Sequence, residues 1–164
     1  MGIPDIIPSL SQPRESIGRT EILFVLDNVA DWETLVEGAR PGVEVVVIDS
    51  RSDGLAQMAG HLAPKAPGSV DTIHLLSHGS AASINLGALT LSSQNLSQHS
   101  DTLAQIRSAL TSDGDFLIYG CDVAKGDAGI AFINALAEAT NIDVAASDDL
   151  TGASWLGGDW NLEK

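Results

Sequence analysis

Residues 72–81 read TIHLLSHGSA, an apolar run that ends in a Ser-His-Gly sequence. The first part predicts a buried β-strand, and His78 with Gly79 predicts a turn at its carboxyl end. Residues 115–124, DFLIYGCDVA, repeat this pattern, and Cys121, the single cysteine of the chain, follows the second strand as His78 follows the first. Parallel neighbouring strands would bring both side chains to one edge of a sheet, where α/β proteins bind their ligands.

The rest of the sequence alternates strands with amphipathic helices. Continuous apolar runs predict further strands at 21–27, 43–48 and 143–146. Helical spacing of apolar residues predicts helices near 31–39, 54–62, 96–110 and 127–140. Asn28 or Asp31 is the candidate N-cap of the first helix, and residues 83–91, with Gly87 near their centre, predict a small β-hairpin after the His strand. This order predicts an α/β fold of three layers, with a mainly parallel central sheet and helices on both faces.

The composition is that of one compact, acidic domain. The 164 residues are 44% hydrophobic and 18% charged, which is enough apolar material for a sizeable core. Residues 1–19 have no regular pattern and are predicted to form a linker or surface arm, with the domain at 20–164. The formal net charge of -14 argues against nucleic acid and anionic membrane surfaces as partners, because both require clustered Lys and Arg. No apolar run approaches the roughly 20 residues of a membrane span.

His78 and Cys121 form a candidate catalytic pair. A cysteine nucleophile needs a thiolate, a nearby base and N–H donors for the oxyanion. His78 would be the base, the N–H groups of Gly79 and Cys121 are candidate donors, and the helix that starts near Asp127 would favour the thiolate if its N-terminus faced the sulfur. Two alternatives stay open. A lone cysteine at a strand end is commonly a small buried apolar residue, and a histidine in such a turn commonly makes only structural hydrogen bonds.

These two segments resemble signatures of the caspase-like cysteine peptidases, the group that includes gingipain, clostripain and separase. LLSHGS is similar to their hydrophobic-His-Gly signature and LIYGCDVA to their hydrophobic-small-Cys signature, and a His roughly 50 residues before the Cys is a caspase feature. More closely, residues 21–163 resemble the DUF4347 family, a caspase-like domain of very large bacterial surface and secreted proteins. The matching segments are SHGSAASINLG, LIYGCDVAKGDAG, VAASDDLTG and GGDWNLE.

The resemblance implies a caspase-like fold and a cysteine endopeptidase. His78 would be its general base and Cys121 its nucleophile, with the Gly79 and Cys121 N–H groups as oxyanion donors. The substrate would be a peptide or protein, including the parent chain of which this domain is a secreted or cell-surface module, and no cofactor is required. Gly120 stands where caspases have Ala, and no residue matches the arginines that bind an acidic substrate residue in caspases, so cleavage after Asp is not expected.

The SDDLTG segment supplies candidate substrate-binding residues, Asp148 and Asp149. In related metacaspases this region helps to form the specificity pocket, so the two carboxylates would receive an Arg or Lys side chain. The alternatives are a calcium site, because hard cations bind clusters of carboxylates, and a solvated turn. Trp155 and Trp160 are interpreted as core residues or, alternatively, as a substrate wall.

The competing function is a catalytically inactive binding or structural module of a bacterial adhesin. Calcium is a possible ligand of such a module. A nucleotide-binding domain has little support, because the sequence contains no phosphate-binding loop. Asp122 is a candidate cap of the helix after the cysteine. His61, His74 and His99 lack metal-ligand spacing with Cys121 and are interpreted as structural or surface residues.

Overall fold

The computed structural model describes residues 20–37 and 42–146. The strands are β1 (Glu21–Leu26), β2 (Val43–Ile48), β3 (Val70–Leu76), β4 (His78–Ser80), β5 (Ser83–Leu86), β6 (Leu89–Ser92), β7 (Leu110–Tyr119) and β8 (Asp143–Ala146). The helices are α1 (Trp32–Glu37), α2 (Gly54–Leu62), α3 (Ser100–Ala109) and α4 (Gly126–Thr140), and a 3-10 helix, Leu96–His99, precedes α3. The predicted linker at 1–19 lies outside the described residues.

The central sheet has five strands in the order β2-β1-β3-β7-β8, and each neighbouring pair is parallel. This confirms the predicted mainly parallel sheet, and it explains why its inner strands are nearly continuous apolar runs. A second, antiparallel sheet contains β4, β5 and β6. The predicted hairpin is confirmed as β5 and β6. The predicted His-Gly turn is wrong, because His78 pairs with Asn85 and begins β4.

Crossovers between parallel strands are right-handed as a rule, and this rule places helices on both faces of the sheet. The chain moves from β1 to β2 in one direction and from β2 through β3 to β8 in the other, so α1 lies on one face and α2, α3 and α4 lie on the opposite face. The core between the sheet and these three helices contains Phe24, Ile73, Ile118 and Phe132, each 0% exposed. Burial of each such side chain stabilises the fold by about 1.5–3 kcal/mol. The described part of the chain is therefore a three-layer α/β structure, as predicted.

Histidines away from the sheet edge bind carboxylates. Nε2 of His74 lies 2.9 Å from Oε1 of Glu21, on the adjacent strand, and its ring stacks on Tyr119 with 6.0 Å between the ring centroids. Glu44 on β2 contacts Nε2 of His61 at 2.6 Å and accepts a hydrogen bond from Lys65 Nζ at 2.9 Å. The interpretation of His61 and His74 as structural residues agrees with these contacts.

Glu44→Gln is expected to lower the free energy of unfolding near neutral pH by less than about 1 kcal/mol. The hydrogen bond from Lys65, and then that from His61, holds the pKa of the Glu44 carboxyl below its usual value. A pKa lowered by folding stabilises the protein above the unfolded pKa, and this stabilisation is lost as the pH falls through the folded pKa. The effect is small because the Glu44 side chain is 40% exposed.

Urea unfolding at neutral pH and at about pH 3 checks this prediction, since the difference between Glu44→Gln and the parent protein should disappear in acid. Glu138→Gln, at an exposed position of α4, is the control and should leave the pH dependence unchanged. A Glu44→Gln deficit that persists undiminished in acid would show that the carboxylate charge is not its cause.

Candidate functional site at the carboxyl edge of the sheet

His78 and Cys121 leave the sheet at the same edge and at the same level. Strands β3 and β7 are parallel neighbours with Leu76 opposite Tyr119, and each candidate residue lies two positions beyond that pair. His78 is exposed, and Cys121 is half-buried. The structure therefore brings together the two segments that the sequence singled out.

Gly79 lets the backbone of β4 lie directly against the segment that carries Cys121. A Cβ atom at this position would overlap Cγ2 of Val123 and would lie 2.9 Å from the carbonyl oxygen of Cys121. Ala82, at the end of the same hairpin, donates its backbone N–H to the Val123 carbonyl at 3.1 Å. The small antiparallel sheet therefore contacts the cysteine segment at two points, Gly79 and Ala82.

The imidazole of His78 is held by a main-chain group. Its Nε2 lies 2.9 Å from the carbonyl oxygen of Asn28, in the turn that follows β1. A carbonyl only accepts hydrogen bonds, so Nε2 carries the proton and Nδ1 of the neutral ring is left as the acceptor. The turn is itself fixed, because Val29 donates to the Leu26 carbonyl and Trp32 to the Val29 carbonyl, both at 3.2 Å.

From the sequence, Asn28 is predicted only as a candidate helix cap, and its contribution to the site is not indicated. The contact uses the backbone carbonyl, which every residue type has, so the identity of residue 28 does not predict it. The available signal was positional, since Asn28 follows β1, the other neighbour of β3, at the same edge of the sheet.

The turn after Cys121 has an unusual backbone conformation. Asp122 has a φ of 59°, in the left-handed region that non-glycine residues seldom adopt. Its carbonyl accepts the Lys125 N–H at 3.0 Å, and its Oδ1 lies 3.3 Å from Lys125 Nζ. The prediction that Asp122 caps the next helix is wrong, because Lys125 occupies the N-cap position of α4 and makes no side-chain cap. The turn is short enough that the Asp122 carboxylate pairs with Lys125 instead.

A pocket of about 310 Å³ opens beside His78. It lies between the turn after β1 and the small antiparallel sheet, and its lining consists of Asn28, His78, Gly79, Ser80, Ser83, Asn85 and Thr90. Apart from the imidazole, these residues offer uncharged hydroxyl, amide and backbone groups. Cys121 does not line the pocket, so among the described residues His78 alone of the candidate pair faces it.

Several predicted residues have no structural description. Asp148, Asp149, Trp155 and Trp160 lie outside the described residues. Within residues 20–37 and 42–146, no group of three or more His, Cys, Asp or Glu side chains could hold a metal ion. In the same residues, no helix combines the length and the apolar character that crossing a bilayer requires.

Ala82→Gly is expected to raise the free energy of unfolding by as much as about 1 kcal/mol. Ala82 occupies the two-residue turn between β4 and β5 with a φ of 64°, which glycine adopts without steric cost. Ala104→Gly, at an exposed position inside α3, is the matched control and should lose about 1 kcal/mol. Urea unfolding measures the free energy of unfolding of both variants. Equal losses of this free energy would show that Ala82 is not strained.

The fold and the site together define an α/β protein in which a histidine and a cysteine lie just beyond the carboxyl ends of two adjacent parallel strands, β3 and β7. The chain belongs to the DUF4347 family, whose description is "domain of unknown function" and whose family model matches residues 22–164. This match confirms the resemblance to the DUF4347 family, and it covers β1 from its second residue and the other seven described strands in full. Comparison with curated proteins finds no match.

Proposed function

We propose that the domain is a cysteine endopeptidase with a caspase-like fold, in which His78 and Cys121 act as a dyad. The observation that carries the proposal is the His78 imidazole, held by the Asn28 carbonyl at 2.9 Å on the edge where Cys121 leaves the adjacent strand. A base that is oriented by a third group, next to a thiol, is the arrangement that cysteine nucleophiles use.

The proposed reaction begins with proton transfer from the Cys121 thiol to Nδ1 of His78. The sulfur attacks the carbonyl carbon of the peptide bond, a C–S bond forms, and the carbonyl electron pair moves to oxygen. Collapse of this intermediate breaks the C–N bond, and His78 gives its proton to the leaving amine. Water then attacks the thioester carbonyl while His78 takes a proton from it. The C–S bond breaks, the carboxylic acid leaves, and His78 returns the proton to the Cys121 sulfur.

The oxyanion would be stabilised by the backbone N–H groups of Gly79 and Cys121. The close approach of these two segments supports this assignment, because the missing side chain at Gly79 allows its backbone to reach the Cys121 carbonyl. In this arrangement one donor comes from β4 and the other from the turn after β7, so the packing of β4 on the cysteine segment is a requirement for catalysis.

We further propose a preference for cleavage after a basic residue, with Asp148 and Asp149 as its receptors. The formal net charge of -14 favours the approach of basic peptides. The substrate is a peptide or protein, and the parent chain is one candidate. We propose a bacterial secreted or cell-surface location for the whole protein, and calcium as a possible activator, on the strength of the family resemblance alone.

One observation favours a second function, an inactive binding or structural module. The described pocket is lined by hydroxyl and amide groups and excludes Cys121. A module that only binds a polar ligand needs this pocket and has no need of a reactive thiol. The two functions therefore differ in the reactivity of Cys121.

Incubation of the purified domain with a positional library of fluorogenic peptides, with and without calcium, tests the proposal. We expect cleavage after Arg or Lys that is absent in Cys121→Ala. Rapid alkylation of Cys121 by iodoacetamide near neutral pH is the second readout, because a functional thiolate reacts in the folded state. No cleavage of any peptide, with a thiol that reacts only on unfolding, would favour the binding module.

A further inference from the structure

We propose that the pocket beside His78 receives the side chain on the leaving-amine side of the cleaved bond and selects an uncharged, hydrogen-bonding residue there. This inference rests on the proposed peptidase function. It assigns a second specificity element, separate from Asp148 and Asp149, and it depends only on residues that the structure describes.

The position of His78 decides which side of the substrate enters the pocket. In the proposed mechanism the imidazole protonates the leaving nitrogen, so that nitrogen must come within hydrogen-bond distance of the ring. The side chain of the same residue branches only two bonds from this nitrogen. Because the ring is part of the pocket lining, and Cys121 is not, the residue that carries the leaving amine lies nearer to the pocket than the residue that forms the thioester.

The chemistry of the lining decides which side chains the pocket prefers. Hydroxyl groups of Ser80, Ser83 and Thr90 and amide groups of Asn28 and Asn85 both donate and accept hydrogen bonds. The two serine hydroxyls already contact each other, with 2.6 Å between their oxygen atoms. No carboxylate and no Lys or Arg belongs to the described lining, so nothing there compensates a charged substrate group.

Basic side chains elsewhere in the described residues are already engaged. Arg51, Lys65 and Lys125 pair with carboxylates, and Arg107 donates to the Leu110 carbonyl. An acidic leaving-side residue would therefore meet no described cation at this edge. An apolar one would leave the hydroxyl and amide groups of the lining without the hydrogen bonds that water gives them.

Matched substrates that differ only in the leaving-side residue test the inference. With the preferred residue of the library held constant before the cleaved bond, we expect kcat/KM to be about tenfold higher for Thr than for its isostere Val, and about tenfold higher for Asn than for Asp or Leu. Mass spectrometry of the products locates the cleaved bond in each peptide.

A pair of variants links the preference to the pocket. Thr90→Val removes one lining hydroxyl without changing side-chain shape, so the ratio of kcat/KM between the Thr and the Val substrate should fall toward one. Thr111→Val on β7, outside the lining, should leave this ratio unchanged. Equal cleavage of all leaving-side residues would overturn the subsite while leaving the peptidase intact. Cleavage of no peptide at all would overturn both.

Discussion

Cys121→Ser is expected to lower kcat/KM for the best library peptide about a thousandfold or more, and His78→Ala by a similar factor. A serine hydroxyl does not form the nucleophilic anion near neutral pH, and without the imidazole the proposed general base is lost. Because the two groups act as a unit, the double variant should be little worse than either single variant. Steady-state kinetics of the three variants measures this.

The control for this prediction is His99→Ala, which removes an imidazole from the 3-10 helix before α3. It should retain the parent activity, and circular dichroism should show that all four variants fold. Substantial activity in Cys121→Ser, or independent and multiplying losses in the double variant, would contradict a His-Cys dyad.

Gly79→Ala is expected to destabilise the protein by about 1–3 kcal/mol and to reduce peptidase activity at the same time. The added methyl group would overlap Val123 and crowd the Cys121 carbonyl at 2.9 Å. Relief of this overlap requires β4 to move away from the cysteine segment, and such a movement displaces His78 and the proposed oxyanion donor together. Urea unfolding and peptide cleavage measure the two effects.

Gly60→Ala is the matched control, because no atom lies within 4 Å of a Cβ at this exposed position of α2. Alanine is the better helix former, so this variant should gain about 0.5–1 kcal/mol and keep full activity. If Gly79→Ala behaves like Gly60→Ala, the contact between β4 and the cysteine segment is not tight, and the proposed coupling of the two segments is wrong.

The elements of the central sheet could be predicted because their signals are local. Strand β2, helix α2 and strand β8 have the predicted bounds, since apolar runs and a helical period determine them. Strand β7 could not be predicted in full. Its first residue, Leu110, pairs with Val70, and a register shift follows. Asp113 and Gly114, a pair that is typical of turns, therefore lie within the strand.

The positions of the site residues could be predicted, because they depend on the order of the strands. Their main-chain contacts could not be predicted from residue types. His78 and Cys121 follow two strands of the same apolar pattern, and the parallel pairing of β3 with β7 brings them to one edge. The strand character of His78 was missed, because β4 forms only through its pairing with β5. The Asn28 carbonyl was missed because every residue type has one.

The carbonyl of Asn28 also affects how the site can change during evolution. A side-chain partner for His78 would be exposed to loss by a single substitution, whereas a main-chain acceptor persists through any replacement that preserves the turn after β1. Position 28 is therefore free to vary among descendants without releasing the imidazole. An alanine scan across this turn would not detect the carbonyl that orients the imidazole, because alanine has the same main-chain group. Insertions or deletions between β1 and α1 are the genetic changes that would remove this contact with His78.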